Sequence, residues 1–134
     1  MKIPDFTNLV FPSNLKFILE DEGCWETEEY SPFFITIDLI EENDDGEGLL
    51  FSFQFNPNSK EFEDLNKAIS SMGFDDDGFG WTDFLMQEIE KVDSKLSKSL
   101  DNDSESETCY LVTTSQQLFE KLLKHLKVIF HNLM

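Results

Sequence analysis

The chain has 134 residues, with 28 Asp and Glu against 10 Lys, no Arg, and a formal charge of −18. That charge excludes binding of nucleic acid or an anionic membrane through the bulk surface, because phosphates are repelled. It leaves acidity for solubility alone, or acidity that meets a strongly basic partner. Hydrophobic residues make up 40% of the chain and 14 residues are Phe, so this is no disordered acidic tail. The length fits one domain, residues 1–134.

In chain order, Met1-Lys2-Ile3-Pro4-Asp5 has no charged start followed by an apolar stretch, as a secretory signal would. No apolar run approaches the roughly 20 residues of a membrane span. The expectation is a cytoplasmic protein without membrane contact. Leu15 to Leu19 is predicted as a short strand, and the acidic stretch Glu20 to Glu29 as a loop around Gly23-Cys24-Trp25. Phe33 to Ile40 is predicted as a strand with Phe33, Ile35, Ile37 and Leu39 on one face and Thr36 and Asp38 on the other. Glu41 to Gly48 is predicted as a turn pivoting on Asp45-Gly46. Leu49 to Phe55 follows as the clearest strand: Leu49, Phe51, Phe53 and Phe55 alternate with Leu50, Ser52 and Gln54. A hairpin with one apolar face needs a cover.

The cover is expected to be helical. Pro57 ends the strand, Asn58 with Glu61 resembles a capping box, and Phe62, Leu65, Ile69 and Met72 form a helical stripe that Gly73 closes. A second helix is predicted from Gly80 to Leu96, with Trp81, Leu85, Ile89, Val92 and Leu96 in register. Ser97 to Glu107 reads as a polar linker and Thr108 to Thr113 as a strand. Thr114 and Gln117 then cap a last helix with the stripe Leu118, Leu122, Leu126, Ile129 and Leu133, broadened by Phe119, Leu123 and Phe130. The fold class is therefore α+β: an antiparallel β-sheet with helices packed on one face, a two-layer sandwich.

The chemistry-bearing residues do not assemble into an enzyme. His125 and His131 are six apart, not the i,i+4 spacing of a metal pair. Asp75-Asp76-Asp77-Gly78 fails as a calcium loop, since counting from Asp75 puts Phe79 at position five and Met86 at position twelve. There is no Gly-x-Ser-x-Gly, no phosphate-binding Gly-rich loop and no Cys-His signature. No cofactor and no metal are expected. Cys24 and Cys109 fit no metal spacing; Cys109 reads as a small buried hydrophobe, with a disulfide between the two as the alternative. Aromatics sit among acids at Trp25 and Tyr30 and again from Phe74 to Trp81. Trp25 reads as an interface anchor, whereas Trp81 reads as core because it opens an apolar stripe.

The segment Gly73-Phe74-Asp75-Asp76-Asp77-Gly78-Phe79-Gly80-Trp81-Thr82 resembles the Gly-aromatic…Gly-aromatic-x-Trp signature of a bacterial immunity-protein family, immunity protein 51. The resemblance covers roughly residues 34–131. Phe84 to Lys95 corresponds to the helix that the signature opens, Leu100 to Glu105 to an acidic stretch, Thr108 to Val112 to a strand, and Ser115 to Phe130 to the last helix. Asp101 to Glu107 lacks the Pro and Ala of the family's stretch. The resemblance implies a non-enzymatic neutraliser of a polymorphic or contact-dependent toxin, made by the toxin's own cell.

Charge distribution leads to a compatible place. Residues 1–107 hold 27 acids and seven Lys, a net of −20, while residues 108–134 hold Glu120 and three Lys, a net of +2. A basic nuclease-type toxin would be steered toward such a field. The expected partner is thus a cognate toxin domain, bound by a monomer or in a 1:1 heterodimer. The alternatives are an acidic nucleic-acid mimic that inhibits DNA-binding proteins, and a calcium- or small-molecule-binding module. The expected toxin-binding residues lie in three acidic loops: Trp25, Glu26, Glu28 and Glu29; Glu41, Glu42, Asp44 and Asp45; and Asp75, Asp76 and Asp77.

Overall fold

Residues 2–40 and 48–134 are described by the computed structural model. Asp5 caps a short 3-10 turn, Phe6–Asn8, accepting from the Thr7 amide at 3.2 Å and from the Thr7 hydroxyl. The turn sends Phe6 into the core. The helix α1 (Leu15–Glu22) comes next. This corrects the strand expected at Leu15 to Leu19. The alternation Leu15, Phe17, Leu19 suggests a strand, but a run this short fits both periods. The structure uses the i,i+4 relation: Leu19 is buried, Leu15 packs on the core, and Phe17 is 73% exposed. Gly23 ends the helix at φ 80°, the left-handed cap that glycine adopts without a Cβ penalty.

The strand β1 (Cys24–Thr27) then occupies part of the expected Glu20 to Glu29 loop. It pairs with β2 (Phe34–Leu39), which pairs with β3 (Leu49–Phe55), and Ile40 donates its amide to the Gly48 carbonyl at 2.7 Å where these two strands approach the hairpin connection. The expected Asp45-Gly46 turn lies outside the described residues. After β3, Ser59 bonds to Glu61 through its side chain and precedes a 3-10 turn, Lys60–Phe62, that runs into α2 (Glu63–Ser71). The capping box expected at Asn58 and Glu61 does not form: the Asn58 amide turns back to Asn56 Oδ1 at 2.9 Å. Helix α3 spans Gly78–Val92 and α4 spans Ser94–Ser99. The single helix expected from Gly80 to Leu96 breaks at Asp93, whose backbone leaves the helical region at φ −156°, ψ 81°. That break brings Leu96 into the core from α4 and leaves Val92 63% exposed.

The expected linker carries a two-residue strand, β4 (Asp101–Asn102), paired with β5 (Cys109–Thr113). Helix α5 (Gln116–Asn132) closes the chain, capped by Ser115, which accepts from the Leu118 amide at 3.3 Å, rather than by Thr114 and Gln117.

The strands form one antiparallel sheet in the order β1-β2-β3-β5-β4. Register assigns its faces. Ile35, Phe53 and Leu111 lie opposite one another, as do Ile37, Phe51 and Thr113, and Phe55 faces Cys109. All of these are buried against the helices. Phe33 sits at the centre of an aromatic cluster, with ring centroids of Phe6, Phe53, Phe55, Phe62 and Phe130 between 5.0 and 5.7 Å away. From α5, Phe119, Leu122, Leu123, Leu126, Ile129 and Phe130 are buried. The two-layer α+β sandwich with helices on one face is thus the fold of the protein. Met72 and Leu39, expected in apolar stripes, are 55% and 48% exposed at the ends of their elements.

The Asp93 break has a pH signature. Asp93 Oδ1 accepts from the Leu96 amide at 3.0 Å, and Oδ2 lies 3.5 Å from His125 Nε2 on α5. The Leu96 hydrogen bond, with help from His125, holds the Asp93 carboxyl below its ordinary value. A carboxylate whose folded pKa is depressed stabilises the fold above its unfolded pKa, and that contribution is lost as pH falls through the folded value. Asp93→Ala is therefore expected to lower the melting temperature at pH 7. The gap from the parent protein should close as pH falls below about 4, as thermal melts between pH 3 and 7 will read.

Candidate functional site

The lysines of this protein avoid the strands, whereas its acids occur in helices, strands and loops alike. The strands contain no Lys: nine of the ten Lys residues lie in helices or 3-10 turns and Lys2 precedes them. The acids of the strand layer therefore have no cation beside them within the sheet. Register places them on the face away from the helices. One row across all five strands reads Glu26, Thr36, Ser52, Val112, Asp101, and adjacent rows read Cys24, Asp38, Leu50 and Phe34, Gln54, Tyr110. At about 4.8 Å between strands, Glu26 and Asp101 stand about 19 Å apart at the two edges of one row.

Between those edges this row is neutral to apolar, with Asp38 in the adjacent row. Thr36 and Ser52 bond to each other through their hydroxyls across the β2–β3 pair. Ser52 and Val112 are shielded by their neighbours, while Phe34 is 36% exposed and Leu50, Gln54 and Tyr110 are half-buried. Beyond β4, Asp103 donates its amide to the Tyr110 carbonyl at 3.3 Å, and Glu105 and Thr108 pair backbone to backbone in a tight turn. Gln54, Asp103, Glu105, Thr108 and Tyr110 line a shallow recess of about 280 Å³.

The Gly-rich signature builds this recess from behind. Asp77 caps α3, accepting from the Gly80 amide at 2.8 Å. The Gly78 amide donates to the Ser106 carbonyl at 2.9 Å, so the 105–108 turn rests directly on the start of α3. Thr82, one turn further on, bonds through its hydroxyl to the Gly78 carbonyl at 2.8 Å and to Ser104 Oγ at 2.6 Å. Ser104 Oγ in turn accepts from the Tyr110 amide at 2.9 Å. A chain of hydrogen bonds thus joins the core side of α3 to the strand that presents Tyr110 outward.

The expected site residues fall in several places. Glu26, Glu28 and Glu29 are exposed, Glu26 on the outer face and the other two just beyond the end of β1. Trp25 lies opposite Ile37 on the helix-covered face and meets Phe11 edge-on at 5.9 Å. It is a half-buried packing residue, because the period of β1 turns it inward where a loop would have left it free. Glu41, Glu42, Asp44 and Asp45 lie outside the described residues. Asp75 and Asp76 are exposed, but Asp77 is half-buried and committed to its cap. By register, Glu28 and Glu29, the 103–108 turn and the start of α3 gather at one end of the sheet, whereas Ile40 and Gly48 mark the other. Asp38, Gln54, Asp101, Asp103, Glu105 and Tyr110 on this face are not among the expected site residues, although the alternation along β2 and β3 puts Asp38 and Gln54 on the polar side.

Cys24 is exposed and Cys109 buried, and both are free thiols. Burial pushes the Cys109 thiol up to about 12, only partly offset by the Thr82 hydroxyl, which leaves it protonated and a poor nucleophile. Among the described residues no group of three or more His, Cys, Asp or Glu is placed to hold a metal ion, and no helix is long and apolar enough to cross a membrane. Comparison with protein-family models, curated proteins and solved structures finds no match.

Proposed function

We propose that this chain is an immunity-type protein that binds a cognate bacterial toxin domain in the cytoplasm and neutralises it by direct contact. The observation that carries this reading is the acidity itself, a net of −18, with every lysine kept off the strands so that the sheet's outer face carries acids and no base. A solubilising charge needs no such sorting, since mixed signs solubilise as well. A one-sign face gives a basic partner a direction of approach and a faster encounter. A toxin that cleaves nucleic acid presents such a basic surface, because it must bind phosphates. The signature from Gly73 to Thr82 supports the same reading through its resemblance to an immunity family.

Inhibition requires no catalysis. An acidic surface seated on the toxin's phosphate-binding groove excludes substrate by occupying the same cations. The test is co-expression with the toxin domain encoded by the neighbouring reading frame. Protection against that toxin, and not against unrelated DNA-binding proteins, supports the proposal. Inhibition of several unrelated DNA binders would replace it with a nucleic-acid mimic. Association should slow steeply as salt rises beyond physiological strength, where the Debye length is about 8 Å. Stopped-flow rates that stay flat from low to high salt would show that the acidic field does not steer the encounter.

A further inference from the structure

We infer that the outer face of the sheet, away from the helices, is the docking surface, and that the recess between β5 and the 103–108 turn receives a guanidinium side chain of a basic partner protein. This rests on the proposed function, and it moves the site from the acidic loops to the sheet. Charge complementarity selects the occupant. The row from Glu26 to Asp101, with Asp38 between them on the next row, carries acids and no base. Phe34 and Tyr110 in one flanking row and Leu50 in the other supply apolar contact beside these acids.

The dimensions fit. Five strands at about 4.8 Å and six residues at about 3.4 Å give a face of roughly 19 by 20 Å, about half of one partner's share of a standard interface. The exposed turns at Glu28–Glu29 and 103–107 extend it at the end where they gather. Within the face the recess is the most specific feature. Asp103 and Glu105 offer two carboxylates, Gln54 an amide and Tyr110 a ring. A planar, always-charged guanidinium bonds carboxylates in pairs and stacks on aromatic rings, which a compact ammonium does less well. The recess is also rigidly backed, since Thr82 and Ser104 tie Tyr110 and the turn to α3.

The test needs no knowledge of the toxin. The full-length ¹⁵N-labelled protein is titrated with a capped tri-arginine peptide, and with the tri-citrulline peptide as its uncharged twin. Amide shifts are expected to concentrate at Gln54, Asp103, Glu105 and Tyr110, with none from the citrulline peptide. The pair Asp103→Asn with Glu105→Gln should raise the half-saturation concentration about fivefold or more, as loss of two exposed ion pairs implies. The pair Asp83→Asn with Glu90→Gln removes the same charge from exposed positions of α3 and should change it less than about twofold. Shifts spread over the helical acids, or equal weakening by the two pairs, would overturn the inference. The two readings separate cleanly: toxin protection with the peptide mapping elsewhere removes only the docking face, whereas mapping to the recess without protection removes only the toxin.

Discussion

Trp81→Ala is expected to lower the unfolding free energy by about 3–5 kcal/mol, the range for deleting a large buried aromatic. Trp81 is fully buried at the junction of α3, α5 and the sheet. Its ring meets Phe55 at 5.3 Å and Phe84 at 5.9 Å nearly edge-on, and lies 5.7 Å from Phe130. Its Nε1 donates to Asn66 Oδ1 at 2.7 Å, and Asn66 in turn donates to the Pro57 carbonyl at 2.8 Å. Truncation therefore opens a cavity and unties α2 from α3 at the same point. Domains of this size are stable by only about 5–15 kcal/mol, so much of the margin goes. Trp81→Phe should cost less, since it keeps most of the ring and loses the hydrogen bond. Phe79→Ala, two residues away, should change stability by no more than about 0.5 kcal/mol, because Phe79 is 53% exposed. Urea unfolding of the three variants checks the order. A Phe79→Ala loss as large as that of Trp81→Ala would mean that the wrong aromatic of the signature has been placed in the core.

That contrast shows what the amino-acid sequence reveals and what it hides. The stripe from Trp81 through Leu85 and Ile89 is legible because burial on a helix repeats every three to four residues. The same logic reads Phe51, Phe53 and Phe55 as one face of a strand. It fails over Leu15 to Leu19, where five residues carry too few periods to separate helix from strand, and the deciding feature is the left-handed Gly23 that follows. It fails at Trp25 for a related reason. Four residues of edge strand between an acidic helix and an acidic turn look like one acidic loop, and only pairing with β2 turns the tryptophan inward. The outer face is hidden for a different reason. Its acids come from β1, β2 and β4, and β4 lies far along the chain from the other two and shares their face only through the strand order. Local acid density points to loops, whereas the unopposed charge on the sheet emerges from topology.

Gly78→Ala is expected to cost about 3 kcal/mol or more, at the upper end of overpacking changes. A Cβ there would overlap the carbonyl oxygen of Glu105 and lie 2.5 Å from that of Thr108 and 2.7 Å from the Thr108 carbonyl carbon. These are backbone atoms, so no rotamer change relieves the clash. Either α3 moves away from the 105–108 turn or the turn moves out. Both break the Gly78 amide bond to Ser106 and strain the Thr82–Ser104–Tyr110 chain behind the recess. Gly80→Ala meets backbone as well, but of a different segment: its Cβ would overlap the Asp75 carbonyl oxygen and lie 2.5 Å from the carbon. The two variants should therefore both be destabilised yet differ in where they are disturbed. Amide shifts in Gly78→Ala should centre on Ser104 to Tyr110, and those in Gly80→Ala on Phe74 to Asp77. If the outer face is the docking surface, the folded fraction of Gly78→Ala should also bind tri-arginine more weakly than that of Gly80→Ala, because only the first displaces Glu105. Equal binding by the two folded proteins, with the shifts placed as stated, would show that the turn seated on Gly78 shapes the fold without shaping the site.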